Sequence, residues 1–186
     1  MTMIDRWVVK HALELFKIFP DERTKNTYAI NLSAQSLGDE NFLDFVVDHV
    51  KAYKKSPENL CFEINENAAL ADLKSVVRFI ETLKGLGCHF SMDDFGSGLS
   101  SFGYLKDIPI DYLKIDGRLV KDMSSDPIDR AMVEAIHNIG NVMELKTIAE
   151  WVDDANTIQL LEEMGVDYAQ GFWLAKPFLI DRMKGV

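Results

Sequence analysis

The stretch HFSMDDFGSG, residues 89–98, decides how this chain is read. His89 to Met92 is a strand-length run that ends in two adjacent carboxylates, Asp93 and Asp94, followed by a turn with Gly96 and Gly98. Acidic residues are poor strand formers, so their place at the end of an apolar run needs a reason. Outward from this point the same arrangement recurs. Toward the N-terminus, Leu60 to Ile64 carries Glu63, and Tyr28 to Leu32 carries Asn31. Toward the C-terminus, Tyr112 to Ile115 carries Lys114 and runs into Asp116, Thr147 to Ala149 ends at Glu150, and Tyr168-Ala169 ends at Gln170.

Helical periods fill the gaps between these six runs. Thr2-x-x-Asp5 reads as a capping box, with Ile4, Trp7, Val8, His11 and Leu15 on the inward face of the helix it opens. Phe42, Phe45, Val46, His49, Val50 and Tyr53 give a second amphipathic helix, and Leu73, Val76, Val77, Ile80 and Leu83 a third, stopped by Gly85 and Gly87. Asp126-Pro127 is an N-cap followed by proline at the first helical position, opening a helix with Ile128, Ala131, Ala135, Ile136 and Ile139. Ile158, Leu161 and Met164 mark the last helix. Strand–helix alternation predicts parallel strands covered by helices. An open doubly wound sheet and a closed barrel both satisfy that. The open sheet gathers ligand residues at one switch point, whereas a barrel gathers them from the ends of many strands. Here all six strand ends carry polar residues, spaced by 20 to 36 residues. The spacing is that of single βα units, since a full eight-unit barrel takes about 250 residues, or roughly 31 per unit. The fold expected is therefore α/β, a TIM-type (β/α) barrel that is incomplete, with about six of eight strands present. Residues 1–186 form one domain, the C-terminal three-quarters of that barrel.

Composition narrows the function. With 186 residues and 47% hydrophobic content the chain is the size of one globular domain. No apolar run approaches the ~20 residues of a membrane span, and the N-terminus has no secretory pattern. Cys61 and Cys88 lie outside any C-x-x-C, which fits a cytoplasmic protein. A net charge of −10 disfavours a nucleic acid polymer as partner. His11, His49, His89 and His137 lack ligand spacing to one another, so zinc is not expected, and the methionines read as core filler.

Glu63, Asp93, Asp94 and Glu150 on one rim would repel one another without a cation. With the Asn31 amide they form an all-oxygen set, which selects a hard ion, Mg²⁺ or Mn²⁺. Adjacent Asp93 and Asp94 suit two ions about 4 Å apart, which stabilise the attacking and leaving oxygens of a phosphodiester displacement. Lys114 is placed to hold the water or a phosphate oxygen. Taken singly, each residue also has a plainer reading: Asn31, Asp93-Asp94 and Gln170 as turn or cap residues, Lys114 with Asp116 as a solvated pair, Glu66 as an acid favouring a helix dipole.

The segments in order carry a resemblance. Asn31-Leu32-Ser33 is similar to the N-L-S segment of the EAL family of cyclic di-GMP phosphodiesterases, and Phe62-Glu63-Ile64-Asn65-Glu66 to its F-E-I-T-E. Asp93 to Gly98 resembles D-D-F-G-T-G, Leu113-Lys114-Ile115-Asp116 resembles L-K-I-D, Ile148-Ala149-Glu150 resembles I-A-E-G, and Gln170-Gly171-Phe172 resembles Q-G-Y. The resemblance implies hydrolysis of cyclic di-GMP to linear pGpG with two Mg²⁺ or Mn²⁺ ions. It implies metal ligation by Asn31, Glu63, Asp93, Asp94 and Glu150, catalytic roles for Lys114, Glu150, Glu66 and Gln170, and support of Lys114 by Asp116. The loop Phe95, Gly96, Ser97, Gly98, Leu99, Ser100, braced by Glu66, would couple metal binding to dimerisation. A homodimer, or sensory or cyclase domains upstream, are the partners implied. The chain departs from the family in several places: no Glu-Ala-Leu occurs, Trp151 stands where glycine is usual after Glu150, Asp153 replaces a usual glutamate, Leu99 replaces a common tyrosine, and Ser97 stands for threonine and keeps the hydroxyl. The missing Glu is a metal ligand, expected upstream of Met1, and its absence puts turnover by this stretch alone in question. The alternative is a sensor that binds cyclic di-GMP without cutting it, or a dimerising signalling module.

Overall fold

In the computed structural model the described residues are 2–17, 27–53, 55–98 and 102–179. The chain forms two compact units, one of residues 1–92 and 102–111, the other of residues 93–101 and 112–186.

In the first unit, α1 (Thr2–Phe16) leads to β1 (Tyr28–Leu32), then to short α2 (Ala34–Leu37) and α3 (Glu40–Ala52). A 3₁₀ turn at Pro57–Asn59 precedes β2 (Leu60–Asn65), α4 (Glu66–Ala71), α5 (Leu73–Lys84) and the start of β3 (His89–Phe95). A 3₁₀ segment, Phe102–Asp107, completes it. The strand order is β1-β2-β3. β1 and β2 are parallel, with Asn31 opposite Glu63. Five consecutive residues of β2, Leu60 to Ile64, are buried, the pattern of a parallel strand covered on both faces. Phe42, Phe62, Phe79 and Phe90 are fully buried and form a ring cluster with centroids 5.6 to 6.3 Å apart. The stripes expected on α3 and α5 supply part of this core.

α1 differs from expectation. Thr2 is already helical, and the Asp5 carboxylate is turned to the Ser33 N–H and to the hydroxyls of Ser33 and Ser36, so no capping box forms at Thr2-x-x-Asp5. These bonds draw inward the face carrying Asp5, Val9, Leu13 and Phe16. Ile4 and Trp7 lie outward, exposed by 57% and 61%.

In the second unit, the last residues of β3 are followed by β4 (Tyr112–Ile115), α6 (Gly117–Asp122), α7 (Pro127–Val142), β5 (Lys146–Ala149), α8 (Ala155–Met164) and β6 (Tyr168–Ala169). The strand order is β3-β4-β5-β6. β4–β5 and β5–β6 are parallel, with Ile115 opposite Ala149 and Ala149 opposite Ala169. Asp126 caps α7 through the Ile128 N–H, with Pro127 at the first turn as expected. The buried stripe of α7 is Val133, Ile136, His137 and Gly140, whereas Ile128, Ala131 and Ala135 face solvent. Close approach decides this: a Cβ on Gly140 would fall 2.7 Å from Thr147 Cγ2, so the glycine face is the one that reaches β5. His137 is structural, bonded through Nδ1 to Thr147 Oγ1 at 2.7 Å. Cys61 and Cys88 are free and buried, and burial pushes the Cys88 thiol up to about 12.

The six strands, alternating with helices, realise the α/β class read from the sequence. Among the described residues no helix is long and apolar enough to cross a membrane.

Candidate active site

The second unit gathers four of the expected residues. β3, β4 and β5 are neighbours in the order, so Asp93-Asp94, Lys114 and Glu150 come from the C-terminal ends of adjacent strands. Lys114 is 4% exposed and Glu150 7%. The Lys114 ammonium lies 2.7 Å from Asp93 Oδ1 and 2.8 Å from Glu150 Oε1. The Asp93 contact is one of charge and not of an aligned hydrogen bond.

Asp94 joins this cluster by a backbone device. Successive residues of a regular strand point to opposite faces, which would send Asp93 and Asp94 apart. Asp94 has φ +55°, in the left-handed region that aspartate tolerates better than most. That turn breaks the alternation, and one carboxylate oxygen from each of Asp93, Asp94 and Glu150 lies within 4.8 Å of the others. Burial pushes the Glu150 carboxyl above its ordinary range; the Lys114 ammonium opposes the shift, and the charges of Asp93 and Asp94 add to it. Three convergent carboxylates, two of them sharing one ammonium, form a donor set fitted to a hard divalent cation.

Asp116 is 2% exposed and caps α6. It accepts from the Arg118 N–H at 2.7 Å and from Arg118 Nη2 at 2.7 Å. Its burial would raise the carboxyl, but the bonds from Arg118 together outweigh it and hold the carboxyl below the usual range. Arg118 Nη2 also lies 3.4 Å from the Ser97 carbonyl, tying the turn after β3 to the head of α6. Arg118 was not among the residues singled out in the sequence. Of the expected loop, Phe95 to Gly98 are described, while Leu99 and Ser100 lie outside the described residues.

Gln170 follows β6. Its N–H donates to the Ala149 carbonyl at 2.8 Å and its own carbonyl accepts from the Val152 N–H at 3.0 Å, which clamps the chain after Glu150 to the chain after β6. Between them is a cavity of about 590 Å³ whose wall includes Glu150, Trp151, Gln170, Phe172 and Lys176.

The first unit gathers the others. The register of β1 and β2 sets Asn31 beside Glu63, and Asn31 Nδ2 donates to Glu63 Oε2 at 3.0 Å. Glu63 is buried, whereas Asn31 is exposed. Glu66, fully buried at the head of α4, accepts the Tyr104 hydroxyl proton from the 3₁₀ segment Phe102–Asp107. Tyr104, like Arg118, was not singled out in the sequence. Its partner lies 38 positions away, beyond the reach of a motif.

The chain is similar to known proteins along most of its length. The EAL domain family profile matches residues 1–177. The chain is 34% identical over 177 residues to the cyclic di-GMP phosphodiesterase PdeB of Shewanella oneidensis, covering 95% of this chain and 21% of that protein. It is 36% identical over 174 residues to the cyclic di-GMP phosphodiesterase PdeA of Borreliella burgdorferi, covering 94% of this chain and 26% of that protein. The chain thus spans about a fifth to a quarter of the length of these curated relatives. Among solved structures, the PaMucR phosphodiesterase in complex with c-di-GMP superposes with TM-score 0.90 at 31% identity, over 97% of this chain and 74% of that one. The FimX EAL domain of Pseudomonas aeruginosa bound to c-di-GMP gives 0.85 at 28%, over 94% of this chain and 69% of that one. The expected incomplete TIM-type barrel agrees with these likenesses.

Proposed function

The chain belongs to the EAL domain family, and from that premise we propose that residues 1–186 are one EAL-type domain serving metal-dependent hydrolysis of cyclic di-GMP to linear pGpG. The observation that carries this reading is Lys114 held between Asp93 and Glu150, with Asp94 turned into the same cluster. Asp93, Asp94 and Glu150 would hold Mg²⁺ or Mn²⁺, with Asn31 and Glu63 as further ligands, two ions in all. Such ions, when bound, supply charge for the attacking and leaving oxygens. The chain's own residues do the rest. Lys114 keeps two carboxylates together that would otherwise repel, and its ammonium orients a water or phosphate oxygen toward Glu150. Glu150, held by Lys114 and standing at the cavity wall, presents its carboxylate to the reacting water. Gln170 at the cavity wall positions the nucleotide. Glu66, held by Tyr104, braces the segment that follows the loop, and Asp116, held by Arg118, fixes the chain just after Lys114. A cytoplasmic setting, a homodimer, and upstream sensory or cyclase domains complete the proposal.

The test is chromatography of cyclic di-GMP incubated with Mg²⁺ or Mn²⁺ and a longer polypeptide that adds a Glu-Ala-Leu strand ahead of Met1. Linear product is expected, and Glu150→Gln is expected to abolish it. A longer polypeptide that yields no linear product overturns the reading. Trp151, standing where glycine is usual after Glu150, motivates a second one, a sensor or dimerising signalling module. Tight binding with no turnover in the longer polypeptide is its signature.

A further inference from the structure

Trp151 carries a backbone cost that core packing does not explain. Its φ is +53°, a region that a bulky L-residue enters only against a steric penalty. Strain of this kind gathers at ligand sites and persists because the surrounding structure holds it. The holding is visible. A Cβ on Gly117, the first residue of α6, would fall 2.1 Å from Trp151 Cγ and 2.3 Å from Cδ2, so the missing side chain at 117 makes the seat for the ring. The ring is not thereby buried: Trp151 remains 54% exposed and forms part of the cavity wall beside Glu150, Gln170 and Lys176. A tryptophan recruited for the core would bury most of its surface. This one is anchored along one edge and presents the remainder to a cavity that begins at the buried carboxylate.

We infer that Trp151 is a base-stacking wall, receiving a purine ring of the nucleotide whose phosphodiester reaches the Glu150–Lys114 cluster. This rests on the reading of the cavity as the cyclic di-GMP site. The chemistry of the wall matches such an occupant. An indole stacks on any base through its π-face. The Gln170 amide both donates and accepts, as the polar edge of a purine requires. Lys176 on the wall offers local positive charge to phosphate in a chain of net charge −10. Trp151 is thus a specificity-determining residue that acts on affinity; the reacting groups stay with the Glu150–Lys114 cluster.

The experiment is binding of cyclic di-GMP to the full chain, followed by stopped-flow tryptophan fluorescence and by equilibrium dialysis of the labelled nucleotide. Quenching on binding is expected, and it should persist in Trp7→Phe and Trp173→Phe but vanish in Trp151→Phe. Trp151→Phe, which keeps a flat ring, should hold affinity within about three-fold, whereas Trp151→Gly should weaken it about ten-fold or more. Glycine is at ease at φ +53°, so that variant keeps the backbone while removing the ring. Unchanged affinity in Trp151→Gly, or quenching that survives in Trp151→Phe, overturns the stacking role and leaves the site reading standing. No binding of cyclic di-GMP by the unaltered chain overturns the site reading and the stacking role with it.

Discussion

Lys114 and Asp94 do most to shape the carboxylate cluster, and they do so by different physics. Lys114 supplies a charge. Removing it leaves buried Glu150 beside half-buried Asp93 with their shared ammonium gone, a change that costs up to about 3–5 kcal/mol, the figure for fully buried pairs. Lys114→Met is therefore expected to lower stability by about 3 kcal/mol in urea denaturation, and Lys114→Met with Glu150→Gln to recover part of the loss. Asp94 supplies a bend. Asp94→Gly should fold as well as the original, because glycine accepts φ +55°, while Asp94→Val should cost roughly 1–2 kcal/mol for the same dihedral. Both should lose the rise in melting temperature that Mn²⁺ is expected to give the unaltered chain, since both remove a ligand oxygen. A rise that persists in Asp94→Gly would remove Asp94 from the metal site.

At the scale of elements, caps and close approaches set what the helices do. Asp154 caps α8 by accepting from the Asn156 and Thr157 N–H groups at 2.8 and 3.0 Å. The Thr157 backbone and hydroxyl bonds hold its carboxyl below the ordinary value of 3.8. A depressed carboxyl contributes stability that is present above the unfolded value and is lost as pH falls through the folded one. Asp154→Ala should thus cost about 1 kcal/mol at pH 7, and the difference from the original should shrink in melts taken below pH 3.8. The elements also show what the sequence can carry. The strands were legible because polar residues such as Glu63 and Glu150 interrupt apolar runs at regular intervals. The faces of α1 and α7 were not. A count of apolar residues ranks Trp7 and Ile128 above Asp5 and Gly140, but partners decide: two serine hydroxyls bury the acid, and a missing Cβ lets the helix touch β5. The site was legible as a set of strand ends. The bend at Asp94 was hidden, since only a dihedral reveals it, and Arg118 and Tyr104 were hidden because no motif marks them as partners of Asp116 and Glu66.

For the molecule as a whole, the strand order among the described residues gives β1 the single strand neighbour β2, and β6 the single strand neighbour β5. Strand edges of this kind pair, become covered, or destabilise the chain. The expected behaviour is concentration-dependent self-association in sedimentation equilibrium, relieved when an upstream segment is supplied. A monodisperse monomer with one cooperative melt would contradict it.

The position of Lys114 has a practical corollary for bench work. Lys10, Lys51, Lys74, Lys106 and Lys121 stand in solvent, and an amine-directed acylating reagent would reach them at once. Lys114, 4% exposed and clasped by two acids, would acquire the label only when its surroundings come apart. Peptide mapping after a timed pulse would therefore make this lysine a built-in gauge of local opening, readable without substrate.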